Sequence, residues 1–310
     1  MQLRFTKMHG LGNDFVVLDG VTRALHVTPE MVRHLSDRHF GIGCDQVLVV
    51  EPPAQPDVDF RYRIFNADGG EVAQCGNGAR CLAKFVRDQR LCAKNRIRVQ
   101  TAAGVLELVD RGRGQYQVAL GVPNLEPAAI PLAVAARAAT YALDLDADRV
   151  EFRALSLGNP HAVLVVADVA TAPVGQLGPR IGADALFPAG VNVGFMAVRD
   201  RHQIDLRVFE RGAGETLACG SGACAAAVAG ILGDLLDSPV RVNLPGGTLT
   251  VEWAGAGQPV LMTGPAVTVF QGRMRYEPEK FRTALLHDGR NLPPGLTKPP
   301  AMIDETQGHD

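Results

Sequence analysis

The sequence predicts an α+β fold of two pseudo-symmetric domains, each a strand-rich sheet wrapped around a central apolar helix. Three observations predict it. A Cys-Gly-Asn-Gly-Ala pentapeptide at residues 75–79 recurs as Cys-Gly-Ser-Gly-Ala at residues 219–223. Short β-rich runs separated by glycine occur in both halves of the chain. A helical segment from about residue 222 to 236 is apolar nearly all round, so it must be buried.

The repeat extends beyond the pentapeptide. Residues 63–79 align without a gap with residues 207–223, at a spacing of 144 residues. At a nearly equal spacing of 146 residues, Gln46 falls opposite Asn192. Chance seldom aligns so many glycines and cysteines. Two half-chains of similar structure are therefore implied, each with one cysteine and several amides.

Two helices interrupt the strands of the first half. The first is predicted from about residue 28 to 39, with Thr28 as the N-cap and Pro29 at the first position. The second is predicted from about residue 78 to 88. The second half repeats this plan, with the apolar helix at its end. Strands are predicted at residues 4–8, 15–18, 47–50, 60–65, 96–99, 105–108, 116–120, 161–167, 191–198 and 203–209.

The domain boundaries follow from the same pattern. The first domain is predicted at residues 1–121 plus about 266–277, and the second at residues 122–265. The break lies at a Gly-Val-Pro segment, because proline ends strand pairing. A late strand at residues 267–270 could return to the first domain. Residues 278–310 are rich in proline and polar residues, which predicts an extended, disordered tail.

Composition excludes several classes of function. A net charge of −2 does not favour binding to nucleic acid or to an acidic membrane. No run of ~18 apolar residues could span a bilayer, and no apolar signal segment is present. Six cysteines among 310 residues are too sparse for a disulfide scaffold. We therefore expect a cytoplasmic protein with reduced thiols.

Cys75 and Cys219 each precede a glycine-rich turn that opens a helix. Free backbone N–H groups and the positive helix end converge there, which binds a carboxylate and favours a thiolate. Lowering the pKa of a thiol by two units needs about 2.7 kcal/mol, whereas the helix end supplies ~0.3–2 kcal/mol. A further lowering of the thiol pKa is expected from His161 and Glu210, which belong to the second copy of the repeat.

Two thiols brought face to face by pseudo-symmetric halves could act on opposite faces of one carbon. One thiol would hold a proton while the other lacks it, and the pair would titrate as a coupled unit. This arrangement is typical of an epimerase or racemase without a cofactor. The two helix starts would bind the carboxylate of an amino acid and stabilise the charge that develops when the α-proton leaves.

Three other interpretations of the cysteines stay open. A cysteine at a tight turn is often structural, although the duplication argues against this for Cys75 and Cys219. No metal is expected, because the spacings to the next cysteine lack the short C-x2-C pattern of zinc sites. A redox disulfide between the two has no C-x-x-C motif to support it. The remaining cysteines are interpreted as structural: Cys44, Cys81, Cys92 and Cys224.

Seven segments of the chain form a specific combination, although a single one would be weak. They are residues 8–15, 41–46, 65–69, 74–81, 158–161, 191–193 and 210–224. In these segments the chain resembles the diaminopimelate epimerase family. The resemblance implies interconversion of LL- and meso-2,6-diaminopimelate in lysine and peptidoglycan precursor biosynthesis, without pyridoxal phosphate or a metal. It also implies a homodimer.

The resemblance also implies roles for individual residues. Cys75 and Cys219 form the acid/base pair, with His161 and Glu210 as auxiliary catalytic residues. Amides suit a substrate with two ammonium and two carboxylate groups, because they both donate and accept. Arg211 could clamp the distal carboxylate. The implied substrate contacts are the side chains of Asn13, Gln46, Asn66, Asn159, Asn192, Glu210 and Arg211 and the backbone donors of Gly76, Asn77, Gly220 and Ser221.

The departures from the family pattern are small. Cys44 stands where the family more often has an aromatic or apolar residue, Ser221 replaces a frequent threonine, and the C-terminal tail is longer. The nearest rival function is a same-fold epimerase or racemase of another amino acid, such as proline or hydroxyproline. Arg211 and the distal amides favour a two-headed substrate instead. A thiol redox or non-catalytic binding protein is a further rival, which the two retained cysteines disfavour.

Overall fold

A computed structural model describes residues 1–73, 75–145 and 148–277. The predicted tail at residues 278–310 lies outside the described residues. The first half contains β1 (Gln2–Gly10), β2 (Asn13–Asp19), α1 (Pro29–Ser36), β3 (Gln46–Glu51), β4 (Phe60–Asn66), β5 (Glu71–Val72), α2 (Gly76–Asp88), β6 (Arg96–Thr101), β7 (Gly104–Gly112) and β8 (Gln115–Ala119). The remainder contains β9 (Tyr141–Leu145), β10 (Asp148–Ser156), β11 (Pro160–Val165), α3 (Val174–Gly182), β12 (Asn192–Asp200), β13 (Gln203–Glu210), β14 (Gly214–Thr216), α4 (Gly220–Leu232), β15 (Val240–Leu244), β16 (Gly247–Glu252), β17 (Leu261–Pro265) and β18 (Val267–Arg275).

The two halves repeat one order of strand pairing. In the first half β1 to β4 pair in sequence, antiparallel except for the parallel pair β2–β3. β4 then pairs parallel with β6, and β6, β7 and β8 follow as antiparallel neighbours. In the second half β10, β11, β12, β13, β15, β16 and β17 pair with the same directions. The duplicated, strand-rich architecture predicted from the sequence is confirmed.

The halves are joined by backbone pairing as well as by the covalent chain. β8 pairs antiparallel with β17, so strands of both halves form one continuous hydrogen-bonded sheet. The predicted strand at residues 267–270 lies within β18, which pairs antiparallel with β1 of the first half. The division into domains at residues 1–121 plus about 266–277 and at residues 122–265 stays a prediction.

The two central helices, α2 and α4, begin directly after the cysteines. Cys75 is the N-cap of α2 and Cys219 is the N-cap of α4, so both helices start two residues earlier than expected. Residues 222–230 of α4 are all buried, as their apolar sequence predicts. The helix ends at Leu232 because Gly233 is the C-cap and Asp234 adopts a φ of 55°, a left-handed conformation that terminates helices.

α1 starts as expected but ends early. The Oγ1 of Thr28 accepts a hydrogen bond from the backbone three residues on, at 3.3 Å, and Pro29 occupies the first turn. The helix ends at Ser36 rather than near residue 39. Asp37 is extended, and its carboxylate accepts bonds from two following backbone N–H groups at 2.7 and 2.8 Å. This turn competes with a further helical turn.

Several elements of the second half were not predicted from the sequence. They are α3 and the strands β9, β10 and β14 to β17. α3 contains Pro179 and several glycines, which are poor helix formers. These elements complete the repeat, because α3 is the crossover between the parallel strands β11 and β12. None of the described helices is long and apolar enough to cross a membrane.

Candidate active site

Each cysteine lies at the end of a short hairpin and at the start of a helix. β4 pairs with β5, and β13 pairs with β14. A bidentate ion pair braces each hairpin. Arg63 donates to Glu71 at 2.9 and 2.7 Å, and Arg207 donates to Glu215 at 2.6 and 2.9 Å. The repeated sequence therefore builds the same local structure around both cysteines.

The starts of α2 and α4 touch each other. We call this contact of residues 76–77 with residues 218–220 the joint. The Nδ2 of Asn77 donates to the carbonyl of Ala218 at 3.0 Å. Met262 packs against both Gly76 and Gly220, where an added Cβ would come within 2.9 and 3.0 Å of its side chain. A larger residue at either position would require the flexible end of the Met262 side chain to shift. The two cysteines, each next to one of these contacts in the chain, therefore adjoin one site.

Cys75 is partly exposed and is held near amide groups. Its Sγ lies 3.8 Å from Asn13 Oδ1. Burial raises the pKa of the Cys75 thiol, and the negative charge of Glu210 raises it further. The backbone N–H groups of Gly78 and Asn77 lower this pKa, which is the effect expected at a helix start. Burial is the larger influence.

Cys219 is more deeply buried, with 3% of its surface exposed. Burial raises the pKa of its thiol well above the ordinary value, and Glu210 again adds to the rise. The hydroxyl of Ser221, 3.7 Å from Sγ, and the N–H of Gly222, which donates to Sγ at 3.3 Å, act in the opposite direction. Glu210 therefore does not help to ionise either thiol, contrary to the expectation from the sequence.

His161 belongs to a hydrogen-bonded chain that ends at Cys219. Asn159 Nδ2 donates to Ser221 Oγ at 3.2 Å, which leaves Asn159 Oδ1 to accept from His161 Nε2 at 3.1 Å. Only 1% of the His161 surface is exposed. Burial, with the charge of Arg211, lowers the pKa of His161 to about 3. His161 is therefore neutral at pH 7, and it orients the Asn159 amide rather than contributing a positive charge.

The first half supplies a free acceptor at Gln46. The Nε2 of Gln46 donates to Asn66 Oδ1 at 2.9 Å, and the buried Oε1 of Gln46 has no hydrogen-bond partner among the described residues. Asn13 is held in place from both ends. Its Nδ2 donates to Asp45 Oδ2 at 2.9 Å, and its Oδ1 accepts from Asn77 Nδ2 at 3.2 Å. A ligand with a hydrogen-bond donor would satisfy Gln46 Oε1.

The second half supplies a carboxylate and a guanidinium on consecutive residues. Glu210 accepts from the threonine hydroxyl of β14 at 2.5 Å. Asn192 donates to a backbone carbonyl at 2.9 Å and accepts from the Arg211 N–H at 3.0 Å, so its amide positions the start of this segment. The exposed Arg211 side chain donates to the Ala189 carbonyl at 2.7 Å. Over the described ranges, no carboxylate forms an ion pair with Arg211, so it can bind an anion.

Three residues that support this arrangement were not predicted from the sequence. Asp45 holds Asn13, Met262 packs between the helix starts, and Arg80 is fully buried beside Asn77. Asp45 and Arg80 lie inside the matching segments, but Met262 lies outside them and carries no local signal. Within the part of the chain that the structure describes, no group of three or more His, Cys, Asp or Glu could hold a metal ion.

Comparison with known proteins gives a consistent family match. A family model described as diaminopimelate epimerase matches residues 5–126 and 153–269. The chain is 61% identical to a diaminopimelate epimerase of Pseudomonas fluorescens over 275 residues, which is 89% of this chain and 100% of the relative. It is also 61% identical to one of Aromatoleum aromaticum over 274 residues, which is 88% of this chain and 99% of the relative.

Solved structures of distant proteins share the fold. A hydroxyproline epimerase of Agrobacterium vitis superimposes with a TM-score of 0.64 at 16% identity, over 90% of this chain and 94% of that one. A phenazine biosynthesis protein of the PhzF family from Bacillus anthracis superimposes with a TM-score of 0.63 at 14% identity, over 89% of this chain and 100% of that one. At these identities the similarity concerns the fold alone.

The buried, neutral His161 should make stability depend on pH. Its folded pKa of about 3 lies below the ordinary histidine value of 6.5, so the unfolded chain takes up the proton first and stability falls as pH drops from 6.5 towards 3. Between about pH 7.5 and pH 5 the wild type should lose about 2 kcal/mol more unfolding free energy than His161→Gln, which does not titrate there. Urea unfolding at both pH values measures this, and equal losses would contradict it.

Proposed function

The chain belongs to the diaminopimelate epimerase family and is an isomerase, and on that premise we propose that Cys75 and Cys219 are its acid/base pair. The reaction is the interconversion of LL- and meso-2,6-diaminopimelate, in lysine and peptidoglycan precursor biosynthesis. One observation carries the proposed role of the cysteines. They cap two helices whose first residues meet at a single joint.

The proposed reaction moves one proton to and one proton from the α-carbon. One cysteine, as thiolate, removes the α-proton, and the other, as thiol, delivers its proton to the opposite face. The configuration inverts, and the two cysteines exchange protonation states. The α-ammonium group of the substrate brings a positive charge near thiols whose pKa values burial has raised, which favours a thiolate.

The helix starts stabilise the charge that develops during proton removal. The first backbone N–H groups of a helix have no intrahelical acceptor and point along its positive end. Two such ends converge here, so they can bind the α-carboxylate and the negative charge that spreads onto it. The donors proposed are the backbone N–H groups of Gly76, Asn77, Gly220 and Ser221.

The side chains around the joint suit a substrate charged at both ends. Gln46 Oε1 is a buried acceptor that no group in the described part of the chain bonds to, which fits an ammonium hydrogen. Arg211 can bind the distal carboxylate through two parallel bonds. The His161 chain positions Ser221 beside Cys219. We propose further substrate contacts by the side chains of Asn13, Asn66, Asn159, Asn192 and Glu210.

A relative specific for proline or hydroxyproline is the alternative that the shared fold leaves open. Such a substrate has one carboxylate and one ammonium group, so it would leave the Arg211 guanidinium without a carboxylate to bind. A non-catalytic thiol protein is the second alternative. It would not require two cysteines at converging helix starts, each with glycine on its C-terminal side.

Removing either thiol should stop the reaction. Cys75→Ala and Cys219→Ala each lose one proton carrier. We expect the rate of conversion of LL- to meso-diaminopimelate to fall by ~10²–10⁴-fold, the usual contribution of a general acid or base. Proton NMR of the purified protein, without added cofactor and under reducing conditions, measures the conversion.

Cys92→Ala is the matched control for these variants, because Cys92 follows the far end of α2 and should not affect turnover. Proline and hydroxyproline are assayed in parallel. Normal turnover in either site variant would exclude the cysteine mechanism. Turnover of proline or hydroxyproline, but not of diaminopimelate, would assign the chain to the alternative specificity.

We also propose a homodimer that forms across β18. Among the described strands, β18 pairs with β1 alone, so its outer edge is open. Val269 and Phe270 on this strand are 55% and 48% exposed, which leaves apolar surface beside free backbone groups. A second copy could cover both. The cytoplasm is the proposed location, because all six cysteines are free thiols.

A charge on the open strand should separate the proposed dimer. Light scattering after size-exclusion chromatography should give the wild type about twice the 33.0 kDa chain mass and Phe270→Lys a mass near one chain. Leu232→Lys, at an exposed apolar residue on α4, is the control and should stay dimeric. A monomeric wild type, or a dimeric Phe270→Lys, would contradict the proposal.

A further inference from the structure

Arg80 is a fully buried arginine whose bonds are all to uncharged groups. It donates from Nη2 to Asn77 Oδ1 at 3.0 Å, from Nη1 to Met262 Sδ at 3.5 Å and from Nε to the Pro265 carbonyl at 3.2 Å. Within the described residues, no carboxylate pairs with it. A guanidinium stays charged in proteins, and a buried charge without an opposite charge is costly. The energetic cost of this buried charge therefore calls for a functional explanation.

The second half shows that the fold does not require this charge. At the spacing of 144 residues, the position of Arg80 corresponds to Cys224. α4 begins in the same way as α2 with a thiol there, and burial raises the pKa of Cys224 to about 12, so the position is uncharged. The architecture of the repeat therefore does not explain Arg80. The difference lies between the two sides of the site.

Arg80 fixes the orientation of the Asn77 amide. Because Arg80 donates to Asn77 Oδ1, the Nδ2 of Asn77 faces Asn13 Oδ1 at 3.2 Å and the Ala218 carbonyl at 3.0 Å. Ala218 directly precedes Cys219. The bond from Arg80 thus extends, through one amide, from the start of α2 to the start of α4.

The other two bonds of Arg80 reach the strand that closes the joint. Met262, on β17, packs against the first glycine of both central helices. Pro265 is the last residue of β17, after which the chain returns to the first half as β18. Arg80 therefore contacts α2 and β17 directly and the start of α4 through Asn77, so it links three segments that meet between the cysteines.

The charge of Arg80 lowers the pKa values of the thiols around it. The titratable groups that face it are the thiols of Cys75 and Cys81 on α2 and of Cys224 on α4. Its charge lowers the pKa of Cys75, against the effects of burial and of Glu210 on β13.

We infer that Arg80 is a positioning residue for the cysteine pair, which aligns the two helix starts through Asn77 and Met262 and places a positive charge on the Cys75 side of the site. The inference rests on the proposed acid/base function of the two cysteines. The charge of Arg80 then favours ionisation of Cys75.

Two substitutions separate the charge from the hydrogen bonds. Arg80→Met removes the charge at similar length, and Arg80→Lys keeps the charge but lacks the fork that reaches three acceptors. Iodoacetamide alkylation, followed at each cysteine by peptide mass mapping over a pH series, measures thiolate formation. Steady-state kinetics with LL-diaminopimelate measures kcat and KM, and thermal unfolding measures stability.

In Arg80→Met, we expect the pH profile of Cys75 alkylation to shift upwards by about one pH unit. Below the midpoint of that profile, Cys75 should therefore react about tenfold more slowly, while the Cys219 rate stays within about twofold of wild type. We expect kcat to fall by about 10- to 100-fold at a KM within about threefold of wild type, because misalignment affects the reacting geometry. Arg80→Lys should recover the Cys75 alkylation rate to within about threefold while kcat stays at least about threefold low.

Arg87→Met is the matched control, because it removes a charge from the far end of α2, and both alkylation rates should match wild type. Wild-type alkylation and kcat in Arg80→Met would overturn the inference. Equal slowing at both cysteines with a lower melting temperature would also overturn it, because that result indicates a structural role alone. If Arg80→Met does not fold, Arg80→Lys decides, and a wild-type kcat in that variant overturns the inference.

The failure of this inference can be distinguished from failure of the proposed function. A wild-type protein that does not convert LL-diaminopimelate contradicts the function, whatever the Arg80 variants do. An active wild type with unchanged Arg80 variants contradicts only the role of Arg80.

Discussion

The close contact of two helix starts is the constraint on which the rest of the site depends. Each half of the chain can supply one thiol and one set of free backbone N–H groups, but neither half can address both faces of a carbon. Glycine at the first position of both helices lets Met262 pack against the two starts at once, and an added Cβ would require its side chain to shift. The strand pairing of β8 with β17 and of β18 with β1 holds the halves in this relation.

The duplication gives symmetry of structure, and a few substitutions remove symmetry of charge. His161 replaces Phe15 at a spacing of 146 residues, and Glu210 replaces Asn66 at a spacing of 144 residues. The second side thus carries the Glu210 carboxylate, the exposed Arg211 guanidinium and a neutral imidazole, while the first carries the buried Arg80 guanidinium. In a coupled pair of thiols, this difference favours one of the two singly ionised states over the other.

The sequence predicted the repeat, the burial of α4 and the cysteine positions, because these follow from local periodicity and from the alignment of the two halves. It did not predict α3, since Pro179 and glycine disfavour a helix that tertiary packing nevertheless stabilises. It also missed Arg80, whose acceptors Met262 and Pro265 lie far along the chain. The effect of Glu210 on the thiols depends on distances between elements, which residue spacing does not give.

The most direct test of the two-base account is the position of deuterium after the first few per cent of turnover in D2O. LL-diaminopimelate is incubated with the wild-type protein, and proton NMR with mass spectrometry follows substrate and product separately. Two monoprotic thiols predict meso product that carries solvent deuterium at the inverted carbon, while the unreacted LL substrate keeps its α-proton. Early meso product without deuterium would show that one base returns the abstracted proton, and would contradict the account.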